Sequence, residues 1–230
     1  MTEPHRRDLM GLAALAAGVV AAPAFAAEVA APPAFTAKPL PMDPGAAAPG
    51  LSSKLISSHY DNNYLGAVKR LNAIHAATAG LDPATAPNFT LNGLKREELI
   101  AWNSMILHEL YFAGLAGSRG APSWRLAQAI ERDFGSHARW SSEFAAMSKA
   151  LGGGSGWVLL TYSPRDGRLT NQWAADHTMA LAGATPLLAL DMYEHAYAID
   201  YGAKAAAYVD AFMAVVSWTT ADAAFARAVA

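Results

Sequence analysis

The stretch from Asp191 to His195 holds the side chains that could most clearly take part in chemistry. The apolar run 186–190 predicts a buried strand, and Asp191 ends it. A carboxylate in such a place must be paired or must bind a cation, because burying an isolated charge is very costly. His195 follows four residues later, so both groups can converge on one metal ion once the chain turns. The D-x-x-x-H spacing alone is a weak signal, because it also occurs by chance.

Two more histidines, His59 and His108, lie among apolar residues in separate N-terminal helical patterns. A single histidine on an apolar face is more often a hydrogen-bonded core residue than a ligand. Two helices of a hairpin that each contribute one inward histidine make a better metal site. Three imidazoles and one carboxylate suit iron, manganese or zinc, with one position left open for catalysis.

Other classes of site find less support. The chain has no cysteine, which excludes disulfides, thiolate metal sites, iron–sulfur clusters and cysteine nucleophiles. The glycine-rich run 152–156 lacks the lysine of a phosphate-binding loop and leads into a strand. Ser142 and Ser148 have no evident histidine–acid partners for a hydrolase triad, and His75 and His137 fit structural or surface positions. The formal net charge of -2 gives no reason to expect a nucleic-acid partner.

The helical patterns that position His59 and His108 form a hairpin. The first covers about 51–77, a loop with proline and asparagine covers 80–93, and the second helix covers 94–115. Two long helices joined by one loop pack as a pair. Helix-breaking residues at 117–122, after the second helix, indicate a domain boundary. We therefore expect an α-helical hairpin domain at 51–118 and an α/β C-terminal domain at 119–230.

The C-terminal domain changes from helical to strand patterns and back. Short helices, then a β-rich segment with a turn at 164–167, then more helices predict the α+β class. The predicted helices are 123–134, 137–151, 203–216 and 219–228, and the predicted strands are 157–162, 169–173 and 186–191.

The first residues have the order of a secretory signal. A twin-arginine pair at 6–7 precedes an apolar stretch at 9–20 and a small-x-small cleavage site at 24–26. We expect residues 1–26 to be a signal peptide of the twin-arginine type, and the protein to be periplasmic or secreted, with no membrane contact after cleavage. The alternative is a membrane anchor, but the apolar run is short for a spanning helix. Residues 27–50, rich in alanine and proline, predict an extended, poorly ordered lead-in.

Four segments of the chain, taken in order, match the motifs of one known family. His59-Tyr60 with Leu71-Asn72, and the segment from Asn103 through His108 to Tyr111-Phe112, resemble its two helical ligand motifs. G-S-G-W at 154–157 resembles the motif before its first strand. D-M-Y-E-H-A-Y at 191–197 closely resembles the signature D-x-W/Y-E-H-A-F/Y. The family is that of the iron/manganese superoxide dismutases, and the resemblance spans about 51–228.

This resemblance implies a helical hairpin packed on a three-stranded antiparallel sheet with surrounding helices. It also implies one iron or manganese ion per subunit, with iron slightly favoured and a water or hydroxide as fifth ligand. The implied protein ligands are His59, His108, Asp191 and His195. The implied reaction is dismutation of superoxide: the oxidised metal takes an electron from one superoxide and releases oxygen, and the reduced metal gives it, with two protons, to a second superoxide, yielding hydrogen peroxide.

The resemblance further implies roles for residues around the metal. His177 lies where the family places a glutamine or histidine that hydrogen-bonds to bound solvent, and Tyr193 takes a position usually held by tryptophan. Trp157 would wall the pocket, and Asn63 would line the substrate entrance. Glu194 would reach the last histidine ligand of a second subunit. The reciprocal contact across a two-fold axis implies a homodimer.

Three positions depart from the family pattern. Ala67, Ala198 and Ala205 stand where the family usually has two tyrosines and an arginine, although Tyr64 and Lys204 lie close by in sequence. We expect an active enzyme with altered proton delivery and weaker electrostatic steering of superoxide. Two alternatives stay open: an exported metal-binding protein of this fold with little or no dismutase activity, and, less favoured, a two-metal or hydrolytic zinc enzyme.

Overall fold

The computed structural model of the chain describes residues 33–46 and 49–230. The predicted signal peptide at 1–26 lies outside the described residues. Within the described ranges, no helix combines the length and the apolar character needed to cross a bilayer.

The first helical arm is a continuous run with a change of pitch inside it. α1 (Ser53–Ser58) passes into a π-helical turn (His59–Tyr64) and then into α2 (Leu65–Ala79). The hydroxyl of Ser52 caps the first turn of α1. A π-helical turn widens the helix locally and often marks a functional site. Here it begins at the candidate ligand His59.

The second arm, α3 (Asn88–Leu115), begins earlier than the sequence predicts. The sequence predicts a loop up to Gly93, whereas the helix starts directly after Pro87. Proline suits a helix start because its ring fixes φ and its missing N–H would have no partner within the helix. The Pro87 carbonyl accepts an early helical hydrogen bond, from the Thr90 N–H at 2.9 Å.

The C-terminal half places helices around a small sheet, and its bounds agree with the predicted helices and strands to within a few residues. In chain order the elements are α4 (Trp124–Phe134), α5 (His137–Ala150), β1 (Trp157–Ser163), β2 (Arg168–Ala174), β3 (Thr185–Asp191), a 3₁₀ turn (Glu194–Ala196), α6 (Ala198–Tyr201), α7 (Ala205–Val215) and α8 (Thr219–Ala228). The 3₁₀ turn and α6 were not expected, because elements this short do not complete a hydrophobic repeat.

The sheet has the strand order β2-β1-β3 with antiparallel neighbours, which confirms the α+β class with a three-stranded sheet. β1 is the central strand and is buried along almost its whole length. Its first residue, Trp157, pairs with Ala174 on one side and with Asp191 on the other. The register thus brings Trp157 beside the candidate carboxylate at one end of the sheet.

Gly156, directly before β1, has a backbone conformation that requires glycine. Its φ is +136°, and a Cβ at this position would lie 2.2 Å from the carbonyl oxygen of Ala174. Its own carbonyl accepts a hydrogen bond from the Met192 N–H at 2.9 Å. The end of the glycine run therefore allows two chain segments to approach closely beside Asp191.

Part of the alanine- and proline-rich lead-in is anchored on the first arm. The Phe35 N–H donates to Asn72 Oδ1 at 2.8 Å, and Asn72 Nδ2 donates back to the Phe35 carbonyl at 2.9 Å. The Lys38 N–H donates to the Tyr64 hydroxyl at 2.7 Å. The composition of this segment predicted poor order. Side chains of the first arm hold it instead, by hydrogen-bonding to its backbone groups.

α3 connects the hairpin to the sheet. It packs against α2 as well as against β3 and α8. The core includes Tyr111 and Phe112 from α3 together with Leu188 and Leu190 from β3. The histidines of the hairpin and the carboxylate of the sheet are therefore carried by elements that share one core.

Candidate metal centre

The structure brings the four predicted ligands together around one oxygen atom. The Nε2 atoms of His59, His195 and His108 lie 3.0, 3.2 and 3.5 Å from Asp191 Oδ2. The four potential ligand atoms all lie within 4.8 Å of one another. Among the residues that the structure describes, this is the one such group of three or more histidines and carboxylates.

Asp191 is fixed in orientation at the end of β3. Its side chain is completely buried. Oδ1 accepts a hydrogen bond from the Tyr193 N–H at 2.8 Å, and the Asp191 carbonyl accepts one from the Tyr208 hydroxyl at 2.9 Å. Since the backbone occupies Oδ1, Oδ2 is the oxygen that faces the imidazoles.

Each histidine reaches the carboxylate from a different element. His59 opens the π-helical turn, His108 lies in α3, and His195 lies in the 3₁₀ turn that follows β3. The ring of His59 is 4.9 Å from that of His108 and 4.8 Å from that of His195, between centroids. The side chains of His59 and His108 are 0% and 1% exposed, but that of His195 is 27% exposed. The cluster is therefore sealed by the hairpin and accessible beside His195.

The protonation states of His59, His108 and Asp191 suit metal binding, which needs neutral imidazoles and an ionised carboxylate. Burial lowers the pKa of His59 and lowers the pKa of His108 to about 3. His108 Nδ1 lies 2.6 Å from the Ser104 carbonyl oxygen, so Nδ1 carries the hydrogen and Nε2 the lone pair. Burial alone would raise the pKa of the Asp191 carboxyl, but hydrogen bonds with His195 and His59 outweigh burial and lower it.

The residues present fit a metal ion. His108 Nε2 is buried and has no hydrogen-bond partner in the described part of the chain. A cation would accept its lone pair and would balance the buried negative charge of Asp191. Three imidazole nitrogens and one carboxylate oxygen form a donor set that iron, manganese and zinc all accept.

Aromatic rings enclose the space around the cluster. Trp157, which is fully buried, meets the ring of His108 edge-on at 5.2 Å. Tyr193 stacks on His195 at 5.3 Å, and His177 lies parallel to His108 at 6.2 Å. Walls of this kind exclude water, and charges inside them interact more strongly than they would in solvent.

The remaining residues named from the sequence differ in burial. Asn63 is half-buried in the π-helical turn, and within the described ranges its side chain makes no hydrogen bond. Glu194 is exposed in the 3₁₀ turn. Ala67 and Ala205 are buried, whereas Ala198 is exposed at the start of α6.

The hydroxyl of Tyr64, which lies close in sequence to Ala67, has partners of its own. It donates to Glu109 Oε1 at 3.0 Å and accepts from the Lys38 N–H. Burial raises the pKa of Tyr64 to about 12. The hydroxyl is thus committed to anchoring the lead-in.

The hydroxyls of Tyr111 and Tyr208 meet beside the cluster, an arrangement that the sequence did not predict. The Tyr208 hydroxyl donates to the Asp191 carbonyl and accepts from the Tyr111 hydroxyl at 3.3 Å. The ring of Tyr111 lies 4.9 Å from that of His59. Burial raises the pKa of both phenols, so both remain donors. Tyr111 lies in a motif that the sequence showed, but the meeting of its hydroxyl with that of Tyr208 was not visible there.

Comparison with known proteins yields consistent similarities. Residues 122–224 match the family model described as iron/manganese superoxide dismutases, C-terminal domain. An iron superoxide dismutase of Cupriavidus metallidurans is 70% identical over 192 residues, covering 84% of this chain and 96% of that protein. A manganese superoxide dismutase of Halobacterium salinarum is 36% identical, covering 78% of this chain and 89% of its own length. An iron superoxide dismutase of Aquifex aeolicus is 34% identical, covering 78% and 86%.

Replacing Asp191 by alanine should abolish metal retention, since the substitution removes the only anionic donor of the cluster. We expect the affinity for iron to fall by more than the roughly 10–100-fold that loss of an outer partner of a ligand costs. Elemental analysis after exhaustive dialysis measures the metal bound per chain, and circular dichroism checks the fold. His75→Gln, which changes a histidine outside the cluster, should retain the metal. An Asp191→Ala protein that still held one ion per chain would contradict the assignment.

Proposed function

The chain belongs to the iron/manganese superoxide dismutase family, and we propose that it performs this family's reaction at one metal ion bound by the cluster around Asp191. In that reaction two superoxide ions and two protons become one molecule of oxygen and one of hydrogen peroxide. The observation that carries the proposal is the convergence of three imidazole nitrogens on a single buried carboxylate oxygen.

The bound metal supplies alternate oxidation and reduction. His59, His108, Asp191 and His195 would hold it, and the protein's other groups would control what reaches it. Trp157 and the rings beside it exclude bulk water from the pocket. The partial exposure of His195 leaves a way in for a small anion.

We assign proton handling and substrate orientation to residues around the ligands. His177 has a buried Nε2 without a partner in the described residues, and it would hydrogen-bond to water or an anion in the open position. Asn63 would lie at the entrance. With alanine at positions 67, 198 and 205, fewer hydroxyl and guanidinium groups are available for proton delivery and for attracting superoxide.

Iron is the metal that we favour. The relative with 70% identity is named an iron superoxide dismutase, whereas a manganese relative is 36% identical. The donor set accepts either metal, because raw affinity discriminates poorly between similar divalent ions. The choice therefore depends on residues outside the ligand set.

We propose a homodimer in which Glu194 of each subunit reaches the last histidine ligand of the other. Glu194 is exposed, and His195 is the one ligand that is not buried. Within the described ranges no protein group hydrogen-bonds to His195 Nδ1, although ligating histidines almost always donate their second nitrogen. The neighbouring Ile199 is 43% exposed and would be covered by such a contact.

We also propose export to the periplasm or beyond. The support is the order of the twin-arginine pair at 6–7, the apolar stretch at 9–20 and the cleavage site at 24–26. A twin-arginine passenger is exported folded, so its metal could be inserted in the cytoplasm.

Iron-loaded protein should dismutate superoxide in proportion to its bound iron, and metal-free protein should not. We expect a rate that depends less on salt than is usual in the family, because fewer positive groups guide the anion. Stopped-flow decay of superoxide, with iron content measured on the same samples, tests both points. Full iron occupancy without activity would instead support the alternative of a metal-binding protein that does not turn over.

Glu194→Ala should convert dimers to monomers at micromolar concentration and weaken iron binding roughly 10–100-fold, as expected for the loss of an outer partner of a metal ligand. Sedimentation velocity and competition with a chelator measure these effects. Glu131→Ala, which removes an exposed carboxylate in α4, is the matched control. Unchanged mass and unchanged iron affinity in the Glu194 variant would refute the bridge.

Export should fail when Arg6→Lys and Arg7→Lys are combined, because the twin-arginine route reads that pair. Fractionation of cells should then find the protein in the cytoplasm with its first 26 residues still attached. The paired control, Arg165→Lys with Arg168→Lys, changes two arginines in and beside the turn after β1 and should leave export intact. Periplasmic recovery of the first double variant would argue against this route.

A further inference from the structure

Tyr193 and His177 form a hydrogen-bonded pair beside the metal ligands. The Tyr193 hydroxyl lies 2.9 Å from His177 Nδ1, and the two rings are 4.8 Å apart at an angle of 29°. The backbone of His177 is held as well, because Asn103 Nδ2 donates to its carbonyl at 2.6 Å. The imidazole is therefore fixed in position by contacts at both its ring and its backbone.

The second nitrogen of His177 has no protein partner in the part of the chain that the structure describes. Nε2 is buried and makes no hydrogen bond within the described ranges. The ring lies against ligand His108 at 6.2 Å and meets Trp157 edge-on at 5.6 Å. A buried polar atom in this position points to a partner that is not protein.

A neutral imidazole has one N–H and one lone pair, and the partner of one nitrogen decides which form is present. If the phenol donates to Nδ1, the hydrogen of His177 sits on Nε2. If Nδ1 donates to the phenol oxygen, Nε2 presents a bare lone pair to the pocket. An anion near the metal is stabilised by the first form and repelled by the second.

We propose that Tyr193 is a positioning residue, whose hydroxyl donates to Nδ1 and holds His177 as the Nε2–H tautomer, with that hydrogen available to an anion in the metal pocket. The inference rests on the proposed function, because it takes a small anion as the pocket's occupant. In this role the tyrosine hydroxyl, and not the packing of its ring, sets the tautomer of His177. Phenylalanine at position 193 would keep the ring packing and lose the donor.

The tautomer can be read directly by ¹⁵N NMR of histidine-labelled protein loaded with zinc, which is diamagnetic. We expect the wild type to carry its hydrogen on Nε2 of His177, and Tyr193→Phe to show a mixture of both tautomers. Azide, a small monoanion, reports the consequence in iron-loaded protein by visible absorption. Its affinity should fall about 10-fold in Tyr193→Phe, the effect of weakening one hydrogen bond to a charged group. Tyr162→Phe, a buried tyrosine that packs on Phe225, is the control and should change neither readout.

A second variant separates positioning from packing. In a His177→Gln background the donor is an amide N–H that needs no tautomer control, so adding Tyr193→Phe should leave azide affinity unchanged. An equal loss of affinity in both backgrounds would overturn the proposal, as would a wild-type hydrogen on Nδ1. The proposed function fails on a different readout: iron-loaded wild type without dismutase activity would reject it, while the tautomer measurement would still decide the role of Tyr193.

Discussion

A fully buried carboxylate at the end of a strand is the constraint on which the rest of this structure depends. The negative charge of Asp191 cannot be left unpaired in the core, and the protein meets this requirement with imidazoles from three separate elements and a backbone N–H on the other oxygen. The pKa of the carboxyl is lowered as a result, so the group remains an anion. Placing those imidazoles fixes the relative positions of the first arm, α3 and the turn after β3.

Metal binding and folding are coupled by this arrangement. His59 and His108 come from the hairpin, whereas Asp191 and His195 come from the end of the sheet. An unfolded chain cannot hold four donors from such distant positions together, so an ion that binds the native cluster stabilises the fold. The shared core between α3 and β3 keeps the donors close even before an ion contributes.

The ligands set which metals can bind, while the surrounding groups set what the site can do. The Tyr111–Tyr208 hydroxyl pair holds the backbone of Asp191 through its carbonyl. The rings of the Tyr193–His177 pair stack on His195 and His108. The Tyr208 hydroxyl donates to the Asp191 carbonyl, and the Tyr193 hydroxyl lies within hydrogen-bond distance of His177 Nδ1. With alanine at 67, 198 and 205, we propose that the entrance relies more on aromatic walls and on His177 than on a network of polar side chains.

The sequence by itself determined the longer helices and the strands, the class of fold and the identity of the candidate ligands. Periodicity separates helices from strands, and D-M-Y-E-H-A-Y at 191–197 joins a strand-ending carboxylate to a histidine within reach. Local signals could not reveal the π-helical turn at His59, because its pitch depends on how the helix packs and not on residue type. They also could not reveal the start of α3 at Asn88 or the anchoring of Phe35 by Asn72.

Only the tertiary structure decided which polar atoms meet. That Nε2 of three histidines faces one oxygen of Asp191, and that the Tyr193 hydroxyl faces Nδ1 of His177, follows from contacts between residues far apart in the chain. Such contacts depend on the sheet register and on the packing of α3, which no short segment encodes. The residue types determine what chemistry the site can do, but the packing of the shared core determines its geometry.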